Sequence, residues 1–196
     1  MMSLFSITLT LFLVMDPLGK MKQFLSILKE IPPKRQVFVI FREMILALIA
    51  MLLFSIFGEY LISFFQLELP TVFLASGVIL FLTAINILFP KADHLPRIHD
   101  EEPFLVPLAI PLMASPALLA MIMLFSQAEP LAWPMILSIL IAWGLSSLLL
   151  LSSRPIYRIL TQNGLLAIER LMGMILVLIA VQRFIEGVVL FINTTT

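Results

Sequence analysis

The sequence predicts an all-α integral membrane protein with six transmembrane helices, built as a three-plus-three inverted-topology repeat in which spans one and four are broken. Three observations carry that expectation. The 196 residues are 61% hydrophobic and only 12% charged, with a mean hydropathy of +1.12, a composition found neither in ordinary soluble domains nor in disordered chains. The apolar residues fall into six runs separated by short polar or proline-bearing connectors. A capping residue followed by proline stands inside the first and the fourth of those runs.

The first span covers about residues 3 to 28 and is interrupted by Met15-Asp16-Pro17-Leu18-Gly19. Neither half alone reaches the ~20 residues that cross a hydrocarbon core of about 30 Å. Pro17 lacks an N–H and turns Asp16 away from helical geometry, whereas a residue before proline suits an N-cap and proline suits the first helical position. Asp16-Pro17 therefore reads as the cap and first residue of a new half-helix starting inside the bilayer. A break at that depth is tolerated only where protein or a water-filled cavity satisfies the backbone, and an ionisable residue there marks function. No Lys or Arg precedes Lys20 and no small-residue cleavage pattern follows the run, so it reads as a retained span rather than a signal peptide.

The remaining spans lie at about 37 to 65, 71 to 89, 104 to 126, 131 to 152 and 165 to 191, in one transmembrane domain. The first repeat takes about 1–90, a cytoplasmic loop about 90–103 and the second repeat about 104–196. Of the 12 Lys and Arg residues, all but Arg183 cluster around the first, third and fifth connectors. By the positive-inside rule both termini then face the periplasm of a bacterial inner membrane. Arg42-Glu43 and Glu169-Arg170 fall near the cytoplasmic face, where snorkelling and mutual pairing are the default.

Spans three and six share an ungapped pattern, Gly77-Val78-Ile79-Leu80-Phe81-Leu82-Thr83-Ala84-Ile85-Asn86 against Gly173-Met174-Ile175-Leu176-Val177-Leu178-Ile179-Ala180-Val181-Gln182. In span four, Pro107, Pro111 and Pro116 interrupt the run, and Ser115-Pro116 repeats the arrangement of Asp16-Pro17. Halves of three spans enter the membrane from opposite sides, as in many secondary transporters, where paired broken helices mark a binding site near the midplane. Asp16 lies ~20 Å and Ser115 ~17 Å along its span at 1.5 Å per residue, so both breaks fall near mid-membrane. Two half-helix N-termini would offer unpaired N–H groups to a carboxylate, while Asp16 offers a negative group to an ammonium or a proton.

The expected substrate-binding set is therefore Asp16, Pro17, Gly19, Ser115 and Pro116, with Asn86 and Gln182 either lining the pathway or bonding between helices. Candidates for coupling or gating are Asp16, Lys20, Glu59, Arg183 and Glu186. Arg183 and Glu186 are three apart on one face, as a structural pair or an outer gate. Two histidines, His94 and His99, sit in a polar loop without the ligand spacing of a metal motif, and the chain has no cysteine.

The motifs Asp16-Pro17-Leu18-Gly19, Glu102-Pro103-Phe104-Leu105-Val106-Pro107-Leu108-Ala109-Ile110-Pro111-Leu112, Arg42-Glu43, Gly58-Glu59 and Glu169-Arg170-Leu171-Met172-Gly173 resemble those of the MarC family, also called the SnatA-like small neutral amino acid transporter family, in particular its YhgN-type members. The resemblance covers essentially the whole chain. It implies a six-span inner-membrane protein with relatives described as transporters of glycine, alanine and similar neutral amino acids. The chain departs from the family pattern at Lys20 and Lys22, where relatives usually carry Asn and Pro, and at Ser115-Pro116-Ala117, where they often carry Gly-Pro-Gly or Gly-Pro-Thr. Lys20 lies one turn beyond Asp16, within reach of an i to i+4 pair that would neutralise the acid; alternatively it snorkels or meets a substrate carboxylate.

The functional expectation is a secondary transporter of small neutral amino acids or similar metabolites, working by alternating access. The alternatives are a proton- or cation-conducting channel or exchanger and a non-transporting membrane scaffold. Expected partners are a small-molecule substrate and the lipid bilayer, with a homo-oligomer open; zero net charge gives no field for nucleic acid. No acid, base and nucleophile set appears in one place, so no enzyme is expected, and no cofactor or ATP motif is present.

Overall fold

The structure, a computed structural model, describes residues 4–21, 24–25, 33–89, 114–128 and 132–195. They form helices α1 (Leu4–Met15), α2 (Pro33–Phe64), α3 (Leu69–Leu88), α4 (Pro116–Ala128), α5 (Ala132–Leu151) and α6 (Ser153–Thr195). Lys22, the basic connector at 29–32, the loop at 90–103 with His94 and His99, and the upstream part of span four with Pro107 and Pro111 lie outside the described residues.

Four of these helices contain segments long and apolar enough to cross a membrane: Ile40–Phe64, Leu69–Leu88, Trp133–Leu151 and Gly164–Thr194. Their outward faces carry Phe41, Phe57, Tyr60, Leu82, Leu148 and Leu178, all exposed. Water would not tolerate so continuous an apolar surface, whereas lipid chains solvate it. The chain is a multi-pass helical membrane protein. The two short apolar helices, Leu4–Met15 and Pro116–Ser126, are α1 and the body of α4, in the spans that contain the cap-then-proline pairs.

Those short helices form the inside of the bundle. On α4 Ala117, Leu118, Leu119, Met121, Ile122, Leu124 and Phe125 are all buried, which covers most of its circumference, and α1 buries Ile7, Leu11, Val14 and Met15. The long helices wrap them. The most extensive pair is α3 on α6; α1 packs on α5, α2 on α4 and α5, α3 on α4, and α1 on α4 and α6. Exchanging α1 with α4, α2 with α5 and α3 with α6 converts the α1–α5 contact into α4–α2 and the α3–α4 contact into α6–α1, so these pairings map onto one another.

The α3–α6 crossing repeats the correspondence at residue level. A Cβ on Gly77 would stand 2.9 Å from the backbone nitrogen of Phe184, and one on Gly173 would stand 2.9 Å from Leu88 Cδ2. Gly173 and Phe184 each follow their counterparts Gly77 and Leu88 by 96 positions. Gly187 meets Leu74 in the same antiparallel register, with its Cβ position 2.9 Å from the Leu74 nitrogen. Without side chains at these points, two helix backbones approach closely.

Two boundaries differ from the sequence expectation. The stretch 153–164, expected as a connector, is helical and makes α6 43 residues long. Pro155 stands in its first turn, where proline costs no hydrogen bond, and Arg158, Leu160 and Gln162 are good helix formers. The second span starts earlier than expected, since α2 begins at Pro33, while α1 ends at Met15, just before the Asp16-Pro17 pair.

Candidate functional site

Asp16 has φ +48°, the left-handed region that non-glycine residues visit mainly as single closing residues. Its N–H donates to the Phe12 carbonyl at 3.2 Å, completing the last turn of α1. The carboxylate then serves the chain that follows: Oδ1 accepts the Gly19 N–H at 3.0 Å, and the Asp16 carbonyl accepts the Lys20 N–H at 3.1 Å. Asp16 thus ends one helical segment and caps the next, with Pro17 buried at the first position. A Cβ on Gly19 would collide with the Asp16 carboxylate, so the third position after the cap needs glycine. Helical bonding resumes as the Phe24 N–H donates to the Lys20 carbonyl at 2.9 Å.

Ser115 caps α4 in the same way. Its Oγ accepts the Leu118 N–H at 3.3 Å, and its carbonyl accepts the Leu119 N–H at 3.0 Å. Both caps bond the amide three residues on, which satisfies one of the orphan donors of a helix start. Ser115 is buried, whereas Pro116 is exposed.

One turn of α5 connects this region to α2. Ser146 Oγ donates to Met15 Sδ at 3.6 Å, and Trp143 Nε1 donates to the Met44 carbonyl at 2.9 Å. Trp143 and Ser146 are three residues apart, hence on one face. The residue before Asp16 and the residue after Glu43 are therefore tied to the same turn. Asp16 and Glu43 are each 1% exposed and Lys20 is 8% exposed. Asp16 Oδ2, Lys20 Nζ, Glu43 Oε2 and Ser147 Oγ are buried without a hydrogen-bond partner among the described residues. Buried groups of this kind are costly unless water, an ion or a ligand completes them. Asp16 and Lys20 are close enough for their charges to interact, but no hydrogen bond neutralises the acid.

Asp16, Pro17, Gly19 and Lys20 thus share one buried turn, and Ser115 stands at the head of α4, which packs on α1. The other expected residues lie elsewhere. Asn86, Gln182 and Glu59 are exposed, and Gln182 Nε2 donates to Glu186 Oε1 at 3.0 Å. Arg183 is 8% exposed, with NH1 2.7 Å from Glu186 Oε2 and its guanidinium 5.0 Å from the Phe125 ring centre. Arg42 and Glu43 pair as expected, NH2 to Oε1 at 2.9 Å, yet Glu43 is buried rather than snorkelling. Glu43, Ser146 and Ser147 are further buried polar residues, and they were absent from the sequence-derived set. The signal for Glu43 was its spacing from Ile40 and Ala47, both buried. Among the described residues, no group of three or more metal-ligating side chains forms.

Comparison with known proteins follows the same outline. The family described as "MarC family integral membrane protein" matches residues 1–192. A "UPF0056 membrane protein" of Buchnera aphidicola subsp. Baizongia pistaciae is 44% identical over 193 residues, covering 96% of this chain and 97% of the relative. The "UPF0056 inner membrane protein YhgN" of Escherichia coli (strain K12) is 43% identical over 193 residues with the same coverage, 96% and 97%. A "UPF0056 membrane protein" of Chlamydia muridarum is 31% identical over 189 residues, covering 95% and 93%. No solved structure matches.

Proposed function

Because the chain belongs to the MarC family of integral membrane proteins, we propose that it is a secondary transporter of small neutral amino acids or similar metabolites. It works in the inner membrane, where its YhgN relative is named as residing. The observation that carries this reading is the Asp16 turn. A helix cap inside a membrane protein presents a carboxylate oxygen and an ammonium, both buried and both without a hydrogen-bond partner among the described residues. A zwitterion supplies the complementary charges, with its carboxylate toward Lys20 Nζ and the start of the following helix, and its ammonium toward Asp16 Oδ2.

The six-span inverted repeat is part of the same proposal. It is supported by the matched caps at Asp16 and Ser115, by the exchange symmetry of the helix contacts and by the glycine crossings 96 positions apart. Three spans in each half would place both termini outside and the two caps near the midplane, where rocking of one half against the other exposes them alternately. With no nucleotide-binding motif, an ion or substrate gradient drives the cycle.

Uptake of labelled alanine and glycine into proteoliposomes, with and without a proton gradient, tests the reading. Saturable uptake by the native protein, lost in Asp16→Asn, is the expected result. Absence of uptake by well-folded native protein would remove the amino-acid assignment, and ion flux without substrate would favour a channel.

A further inference from the structure

We infer that Glu43 is the proton-carrying residue of this protein, an inference that rests on the transporter reading for its cycle but not for its first test. Glu43 stands in the membrane segment Ile40–Phe64, on the stripe of α2 that buries Ile40, Met44, Ala47 and Met51. One oxygen, Oε1, takes both Arg42 contacts, at 3.0 Å from Nε and 2.9 Å from NH2. The other, Oε2, is buried and has no partner among the described residues. An ionisable group left half-satisfied within a membrane segment is a functional group by default.

The ligand of Oε2 follows from what surrounds it. A metal ion of the hard class needs six or more oxygen ligands, and no cluster of three acidic or histidine side chains forms among the described residues. A proton needs one lone pair. The helices packed on α2 are α4 and α5, whose sequences carry no titratable side chain. Among the described residues Arg42 on α2 itself is paired with Glu43, and the segment that carries Asp16 and Lys20 meets, through Met15, the same turn of α5 that Met44 meets.

Asp16 is poorly suited to the same task. Its Oδ1 holds the Gly19 amide, and a proton on Oδ2 would turn that charge-assisted bond into a weaker neutral one at a helix start. Oε2 of Glu43 holds no backbone. When a proton moves from hydronium to Oε2, one O–H bond breaks and another forms, and the Arg42 ion pair weakens without undoing a helix. Arg42 stays beside it and draws the proton off again by restoring the pair.

Two measurements test this. In pH-difference infrared spectra of the native protein in lipid, a protonated-carboxyl stretch that is missing from Glu43→Gln is expected; an identical band in both proteins would overturn the assignment whatever the substrate. In proteoliposomes that show native uptake, Glu43→Gln should lose proton-driven accumulation while still exchanging labelled for unlabelled substrate, with the pH dependence of that exchange flattened. Accumulation preserved in Glu43→Gln, or exchange lost along with it in folded protein, would overturn the inference. If Glu43→Gln does not fold, Glu43→Asp takes its place, with retained but pH-shifted accumulation expected and an unshifted profile counting against it. Lack of uptake by the native protein would instead sink the transporter reading, leaving the infrared result to decide Glu43.

Discussion

Gly77 on α3 lies so close to Phe184 on α6 that an added Cβ would stand 2.9 Å from the Phe184 backbone nitrogen and 3.0 Å from the Ala180 carbonyl oxygen. Backbone does not give way as a side chain does. Gly77→Ala should therefore push the two helices apart and cost about 1–3 kcal/mol, the range for overpacking.

Gly173→Ala should cost less, because the atoms in its way are the ends of Leu88 and Ile87. Gly144 on α5 has nothing within 4 Å of its Cβ position, so Gly144→Ala should stabilise by about 0.5–1 kcal/mol through helix propensity alone. Thermal unfolding in one detergent should rank the three variants Gly144, Gly173, Gly77 from most to least stable. Any other order would speak against the backbone crossing.

The cap at Asp16 separates shape from charge. Asp16→Asn keeps an oxygen to accept the Gly19 amide and should stay near native stability, whereas Asp16→Ala should lose about 1 kcal/mol. Gly19→Ala should resemble Asp16→Ala, since its methyl group displaces the carboxylate from the cap. Denaturation midpoints and substrate uptake, measured together, should show Asp16→Asn stable but inactive and the other two impaired in both.

Lys20 buries an ammonium with no hydrogen-bond partner among the described residues. Lys20→Met removes the ammonium's desolvation cost but leaves the buried Asp16 without the charge beside it, so stability should change by less than about 1 kcal/mol. Substrate affinity should fall in the same variant, the signature of a group held for function rather than stability. A folded Lys20→Met with native uptake would show that the ammonium plays no part in binding.

Arg183 is held by Glu186 at 2.7 Å and by the Phe125 and Phe73 rings, 5.0 and 6.0 Å from its guanidinium carbon. A lysine there keeps the charge but loses the planar face, so Arg183→Lys should cost about 1 kcal/mol or more. Glu186 is a third exposed, and Glu186→Gln should cost about 1 kcal/mol or less. Unfolding of the two single variants and the double variant should show coupling between the positions.

The sequence by itself determined that the chain lives in a membrane and that Asp16 and Ser115, each before a proline, are capping residues. These follow from local chemistry: proline and a capping side chain act on their own neighbours, and apolar length sets what spans a bilayer. Which polar residues face inward was decided by the tertiary structure. In a soluble protein, periodicity reveals the buried face of a helix, but lipid lets both faces be apolar and erases that signal. Asn86 and Gln182, which close the similar runs of spans three and six, therefore proved to be on the surface, while Glu43, one residue from an arginine, proved to be buried. Only the packing of α5 against both α1 and α2, through Ser146 and Trp143, ties Met15 and Met44, the chain neighbours of Asp16 and Glu43, to one turn, because those contacts join residues far apart in the chain.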